Sequence, residues 1–299
     1  MWLVLVVFSA ISLGIYNVFQ KISLNGNAVI PVLFSSMVGA AILLTPFKLI
    51  SIYAPEYLVS TIFYVPSVDL HTHGLIFIKA AIICCAWVFA YAAMKHLPLT
   101  IISPIKASQP IWTVLGAVLI FSERLNTIQI VGVVITLLFF YGFSVIGKKE
   151  GFSFRNNKWI WFMIISILFG ATSGLYDKYL MRQYDRMAIQ VFFTYYQVVI
   201  MSVVMLTLWY PQRKKSTPFT WRWAIMLISV FILVTDFLYF YALSMPDSLL
   251  AIISPLRRTG MLVPFVFGAV FYKEKNLKWK FVCLIGLLVG VYFLFLGSW

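Results

Sequence analysis

Three cations, Lys106, Arg257 and Arg258, sit inside apolar runs, where a positive charge is suited to hold a phosphate or a carboxylate. Lys106 closes Ile101-Ile102-Ser103-Pro104-Ile105-Lys106, and Arg257 closes the near copy Ile252-Ile253-Ser254-Pro255-Leu256-Arg257. A charge within an apolar run is costly and is a functional candidate by default. Its recurrence at matching places says that the chain is built from two related halves sharing a chemical task. An Arg can meet a phosphate or carboxylate through two parallel donors, whereas Lys acts as a point charge.

Other polar groups in apolar runs extend the candidate site. Asn17 and Gln20 share a face of the first run and suit hydrogen bonding to a ligand or to another helix. Asp236 lies eleven residues before the turn at Asp247 and Arg257 ten after it, which predicts similar depth. It is either a counter-ion to Arg257 or a carboxylate that couples proton movement. Asp177 and Lys178 are adjacent, about 100° apart on a helix, so one can face a cavity while the other reaches an interface. Tyr239 and Tyr241 share a run with Asp236 and are the rings selected for the pocket. Tyr16, Trp87, Trp112 and Tyr176 are weaker candidates in a chain this rich in aromatics.

The elements that position these groups follow from composition. The chain of 299 residues is 62% hydrophobic and only 11% charged, with a mean hydropathy of +0.96. Soluble domains carry roughly 25% charged residues, so the expectation is an all-α membrane protein. Apolar runs near 2–22, 29–50, 74–95, 100–121, 127–146, 158–180, 187–210, 222–244, 249–271 and 277–297 predict ten crossings. The break 51–73 is the longest, and its middle (57–64) is read as an interfacial helix or a plain loop. Pro104 and Pro255 open the fourth and ninth runs, and Pro110 and Pro264 are expected to kink them deeper in. On these boundaries Lys106 lies roughly 9 Å, and the arginines roughly 12–14 Å, along their helices.

The repeat extends past the hexapeptide. Phe121-Ser122-Glu123-Arg124 matches Tyr272-Lys273-Glu274-Lys275 at the same separation, and Gln20-Lys21 aligns with Asp177-Lys178. Residues 1–147 and 148–299 are thus two five-helix units. An odd number of crossings per unit makes the second an inverted copy, with a central cavity between them at the midplane. The predicted lining is the first, third, fourth, sixth, eighth and ninth helices.

Several classes are excluded or set aside. The net charge of +14 has no basic domain to carry it, so nucleic acid is not an expected partner; the bilayer is. Cys84, Cys85 and Cys283 do not make a disulfide framework, and His71 and His73 read as a solvated loop pair without a metal. No metal or cofactor is expected. The motifs of metalloproteases and of ATP-driven pumps are absent, so the chain is not read as an enzyme. The first run lacks a basic flank and is expected to be retained. It also carries no carboxylate for a cationic drug.

Two five-helix halves, each with a Glu after its fourth helix and a Gly in its fifth (Glu123 and Gly132; Glu274 and Gly286), resemble the EamA-type branch of the drug/metabolite transporter superfamily. That resemblance implies a transporter of small metabolites with a central site. Ile105-Lys106-Ala107-Ser108-Gln109-Pro110 is also similar to the fourth helix of triose-phosphate and sugar-phosphate translocators, whose Lys contacts phosphate. Arg257-Arg258 stands where those proteins carry a Lys-Arg pair. Gln109 replaces their Glu, and Arg257 their Lys, so the likeness implies an anion more than triose phosphate.

The expected function is secondary transport of a small anionic metabolite by alternating access. An exporter of amino acids or other zwitterions is the alternative, and a membrane-embedded enzyme a distant third. The expected location is the cell (inner) membrane. Outside the bundle, fourteen cations flank one face and six (Lys48, Lys79, Arg124, Lys178, Arg182 and Arg186) the face with the termini, which argues for termini outside. The family resemblance implies termini in the cytoplasm.

Overall fold

The computed structural model describes residues 1–94, 96, 105, 106, 108–145, 157–214, 217–271 and 277–297. Among these the secondary structure is helical throughout: α1 (Trp2–Leu24), α2 (Val29–Tyr53), α3 (Leu70–Met94), α4 (Gln109–Phe121), α5 (Thr127–Val145), α6 (Lys158–Gln183), α7 (Arg186–Val204), α8 (Ala224–Ser244), α9 (Leu250–Arg258), α10 (Leu262–Phe271) and α11 (Leu277–Leu296). Spans in α1, α2, α3, α6, α7 with its continuation, and α8 are long and apolar enough to cross a membrane. α4 and parts of α5 and α11 are shorter apolar helices. The chain is therefore a multi-pass membrane protein.

Helix starts are set by local chemistry. The Asp185 carboxylate accepts from Met187 N (2.8 Å) and Ala188 N (2.9 Å), which satisfies donors at the start of α7. Asn126 and Gln129 form a reciprocal capping box before α5, and both amides also donate to Gly297 O, pinning the end of α11 there. Asp69 caps α3 through Thr72, whose hydroxyl hydrogen bond holds this carboxyl below its usual range. Residues 57–64 carry turns after a short 3-10 turn at Pro55–Tyr57, which corrects the interfacial-helix option.

The helix pairings come in matched sets under exchange of the halves. α1 packs on α8 as α6 packs on α3; α2 meets α8 as α7 meets α3; α2–α7, α4–α9 and α5–α11 are their own counterparts. Small residues allow the closest approaches, as expected where apolar burial gives no preference over lipid. A Cβ at Gly290 would fall 2.4 Å from Thr136 Oγ1, and one at Gly286 would fall 2.3 Å from Phe139. Hydroxyls bridge the same pairings: Ser9 Oγ donates to Thr235 O (2.9 Å), Ser229 Oγ to Ser36 O (2.7 Å) and Ser166 Oγ to Ala86 O (2.7 Å).

The ninth predicted span is broken. α9 ends at Arg258, a 3-10 turn covers Thr259–Met261, and α10 begins at Leu262. Pro255 lacks an N–H and weakens the helix just before the break. Gly260 lets the broken turn touch α1: a Cβ there would lie 2.2 Å from Ala10 O. The fourth span has a related start, with Ile105 and Lys106 helical, Ser108 in a turn, and α4 beginning at Gln109. Pro110 and Pro264 hence lie in the first turns of α4 and α10, where a missing N–H costs nothing. They open helices where an internal kink was expected. Pro104 lies outside the described residues.

Candidate functional site

A cavity of about 370 Å³ opens among α1, α2, α3, α4, α6, α7, α8 and α9. That volume suits a small molecule. α2 and α7 join the six predicted lining helices, because they are packed against α8 and α3, close to the same centre. The charged lining residues are Lys79, Asp177, Asp236, Arg257 and Arg258, which makes three cations against two carboxylates.

Lys79 and Asp177 form the tightest contact. Lys79 Nζ lies 3.0 Å from Asp177 Oδ1, and both side chains are almost wholly enclosed. The same ammonium lies 3.2 Å from the centroid of the Phe193 ring and 4.9 Å from that of Phe240, positions that favour a cation over a π face. Lys79 comes from the first half and its partners on α6, α7 and α8 from the second. The second pair is looser: Arg257 Nη2 is 3.8 Å from Asp236 Oδ1, and both side chains are partly open, at 20% and 24% exposure. The Arg257 guanidinium stacks 3.8 Å over the buried Tyr239 ring, which lines the cavity together with both ion pairs.

Among the described residues Arg258 makes no ion pair. It is the cavity cation left over once the other two are matched.

Of the residues selected from sequence, Arg257, Arg258, Gln109, Tyr239, Asp236 and Asp177 line the cavity. The Gln109 amide lies across Gly170, where a Cβ would meet its Nε2 at 2.6 Å. Gln20 stands one step back and donates to the hydroxyl of Tyr16, which does line the cavity (3.3 Å). Asn17 is half-buried and Tyr241 lies under the Arg186 guanidinium (3.8 Å); neither lines the cavity. Lys106 is exposed and outside the lining, although its charge is close enough to Arg258 to be felt. Ser108 is the N-cap residue of α4, so Lys106 lies two residues ahead of that cap and not inside the helix that carries Gln109 and Thr113 into the lining. Trp87 lines the cavity, whereas Trp112 is exposed.

Two cations read as flanking the bundle belong inside it. Lys79 is one, because α3 begins at Leu70 and so places it farther in than a start at 74 would. Asp69, an N-cap residue directly before Leu70, was the available signal. Lys178 is the other. It is fully buried and donates to Ser248 Oγ (2.7 Å) and Ser248 O, so it does not reach an interface. Beside it Glu123 accepts from Leu250 N (2.9 Å) and Ala251 N (2.8 Å), capping α9 from the end of α4. The corresponding Glu274 lies outside the described residues. His73 also departs from the solvated reading, since its Nδ1 lies 2.9 Å from the Tyr196 hydroxyl. No cluster of metal-ligating residues occurs among the described residues.

The EamA-like transporter family matches residues 1–145 and again 157–296. The chain belongs to the EamA-like transporter family. Two matches in one chain give it a two-repeat architecture. No curated protein matches by sequence. Among 28 solved chains that match, one crystal structure of a protein superposes with a TM-score of 0.72 at 12% identity, over 98% of this chain and 96% of that one. It shares the fold.

Proposed function

We propose that the chain is a secondary transporter that moves a small anionic metabolite across the cell (inner) membrane by alternating access. The ten predicted spans act as two inverted five-helix halves, and the matched helix pairings support that reading. One observation carries the substrate class: among the described residues Arg258 faces the cavity without an acidic partner, while Asp177 and Asp236 offset Lys79 and Arg257. An anionic group entering the cavity meets one uncompensated guanidinium and a second, Arg257, held only loosely. Charge-assisted hydrogen bonds of this kind contribute roughly 1.5–3 kcal/mol each. Gln109, Ser254, Thr113 and Gln197 supply neutral donors and acceptors around the same space.

The broken turn after Arg258 is where rocking of the halves is absorbed. Discontinuous helices at the substrate site are a recurring device of such transporters.

The presence of Asp236 in the same cavity favours one alternative, a zwitterion whose amine meets the carboxylate. Uptake into proteoliposomes of phosphorylated sugars, carboxylates and amino acids separates the two. Anion uptake that is lost in Arg258→Ala supports the proposal. Uptake of amino acids only, abolished by Asp236→Asn, replaces it with the zwitterion reading.

A further inference from the structure

The two ends of the bundle are chemically opposite. At one, Arg222 Nη1 donates to Ile22 O (2.6 Å), Asn27 and Thr220 exchange two hydrogen bonds (2.7 and 2.9 Å), and His96 stacks on Trp159 at 3.8 Å. At the other, Glu123 caps α9 and Asn126 holds Gly297 O (2.6 Å), so Trp2 and Gly297 lie at this second end.

Moving Lys79 and Lys178 into the bundle changes the charge balance. The second end keeps only Lys48, Arg124, Arg182 and Arg186, against the carboxylates Glu56, Asp69, Glu123, Asp185 and Asp247. The first end bears Lys21, Lys158, Arg213, Lys214 and Arg222 on described segments. Among the described residues this end carries no carboxylate side chain. Among the described residues outside the cavity, the excess of positive charge is thus gathered at one end. Exposed Trp221 (60%) and Trp223 (67%) lie among these cations, with Trp161 (58%) and Trp279 (67%) in the first turns of α6 and α11. Tryptophan rings of this kind settle at headgroup level, which puts the cations just beyond the hydrocarbon.

We propose that this end lies against the anionic headgroups of the cytoplasmic leaflet and that Trp2 and Gly297 face the opposite side, the reverse of the orientation that the family resemblance implies. Lys and Arg near helix ends set orientation, and Asp and Glu contribute little. Anionic lipids of the cytoplasmic leaflet attract such basic segments. The inference rests on the bundle spanning a membrane and is independent of the substrate, so it stands or falls separately from the transport proposal.

The test is labelling of the full chain in intact bacterial cells with a membrane-impermeant maleimide, after subtracting labelling of the parent protein. Tyr57→Cys, at the end with few cations, is expected to label in intact cells. Arg213→Cys is expected to label only after permeabilisation. Alkaline phosphatase, which is active only outside the cytoplasm, is expected to be active when fused after Trp299 and inactive when inserted within 146–156; these fusions do not depend on either cysteine variant folding. The reverse labelling or the reverse fusion pattern overturns the proposal. Equal labelling of both cysteines from outside overturns it in favour of dual insertion.

Discussion

Two ion pairs share one cavity and differ in nearly every physical respect. Lys79–Asp177 joins the halves, is short and almost wholly enclosed, and has its ammonium packed against Phe193 and Phe240. Arg257–Asp236 lies within the second half, is longer, and is open on both sides. The first pair cannot lose a partner without leaving a charge stranded in an apolar surround. The second can exchange partners at little cost, because each group is already in part solvated. We infer that the closed pair maintains the seam between the halves, while the open pair and Arg258 meet the substrate.

The largest effect is expected where that difference is broken outright. Lys79→Ala should leave Asp177 buried and unpaired and lower stability by about 3–5 kcal/mol, measured by thermal unfolding in detergent. Lys79→Met combined with Asp177→Leu should recover most of this, since two well-packed apolar groups replace a buried pair without penalty. Equal loss in both variants would mean that the pair is irreplaceable for another reason.

Arg258→Ala comes next and sharpens the division of labour. Affinity for an anionic substrate should fall by about one to two decades, at roughly 1.4 kcal/mol per decade, with little change in unfolding temperature. Loss of stability and unchanged affinity would place Arg258 on the structural side.

Glu123→Ala tests a site away from both pairs. It removes the acceptor for two amides of α9 and should cost about 1–2 kcal/mol of stability, read in the same unfolding assay. Breaking the open pair with Arg257→Ala should cost only about 1 kcal/mol of stability or less, as for a partly exposed pair. A loss as large as that of Lys79→Ala would erase the contrast between the two pairs. Arg257→Lys should weaken binding more than its retained charge suggests, because the stacked planar guanidinium over Tyr239 is lost.

Some of this was legible in the residues. Asp236 and Arg257 lie at nearly equal distances in sequence from the turn at Asp247, and the hairpin does pair them. Adjacent Asp177 and Lys178 diverge as a helix requires, but Lys178 turns into the protein to meet Ser248. The hexapeptide repeat suggested equal roles for Lys106 and Arg257, yet one is exposed and the other lines the cavity. Repetition transmits a local pattern; it does not transmit the neighbours that decide where a side chain points. Lys79 shows the same limit, because a single lysine among apolar residues reads equally as a flanking charge or a buried one until its partner is placed.

What the sequence determined by itself is the part governed by local and additive terms. Apolar runs long enough to cover a hydrocarbon core, polar breaks between them and a duplicated set of motifs make a multi-pass helical protein of two related halves. Capping residues such as Asp185 and Asn126 act within a few positions and are visible in the same way. The tertiary structure alone decided which charges share a cavity. Lys79 and Asp177 are far apart in the chain, and their contact exists only because α3 packs on α6. Ion pairing depends on distance and enclosure, and both are set by helix packing across the halves, which no local pattern records.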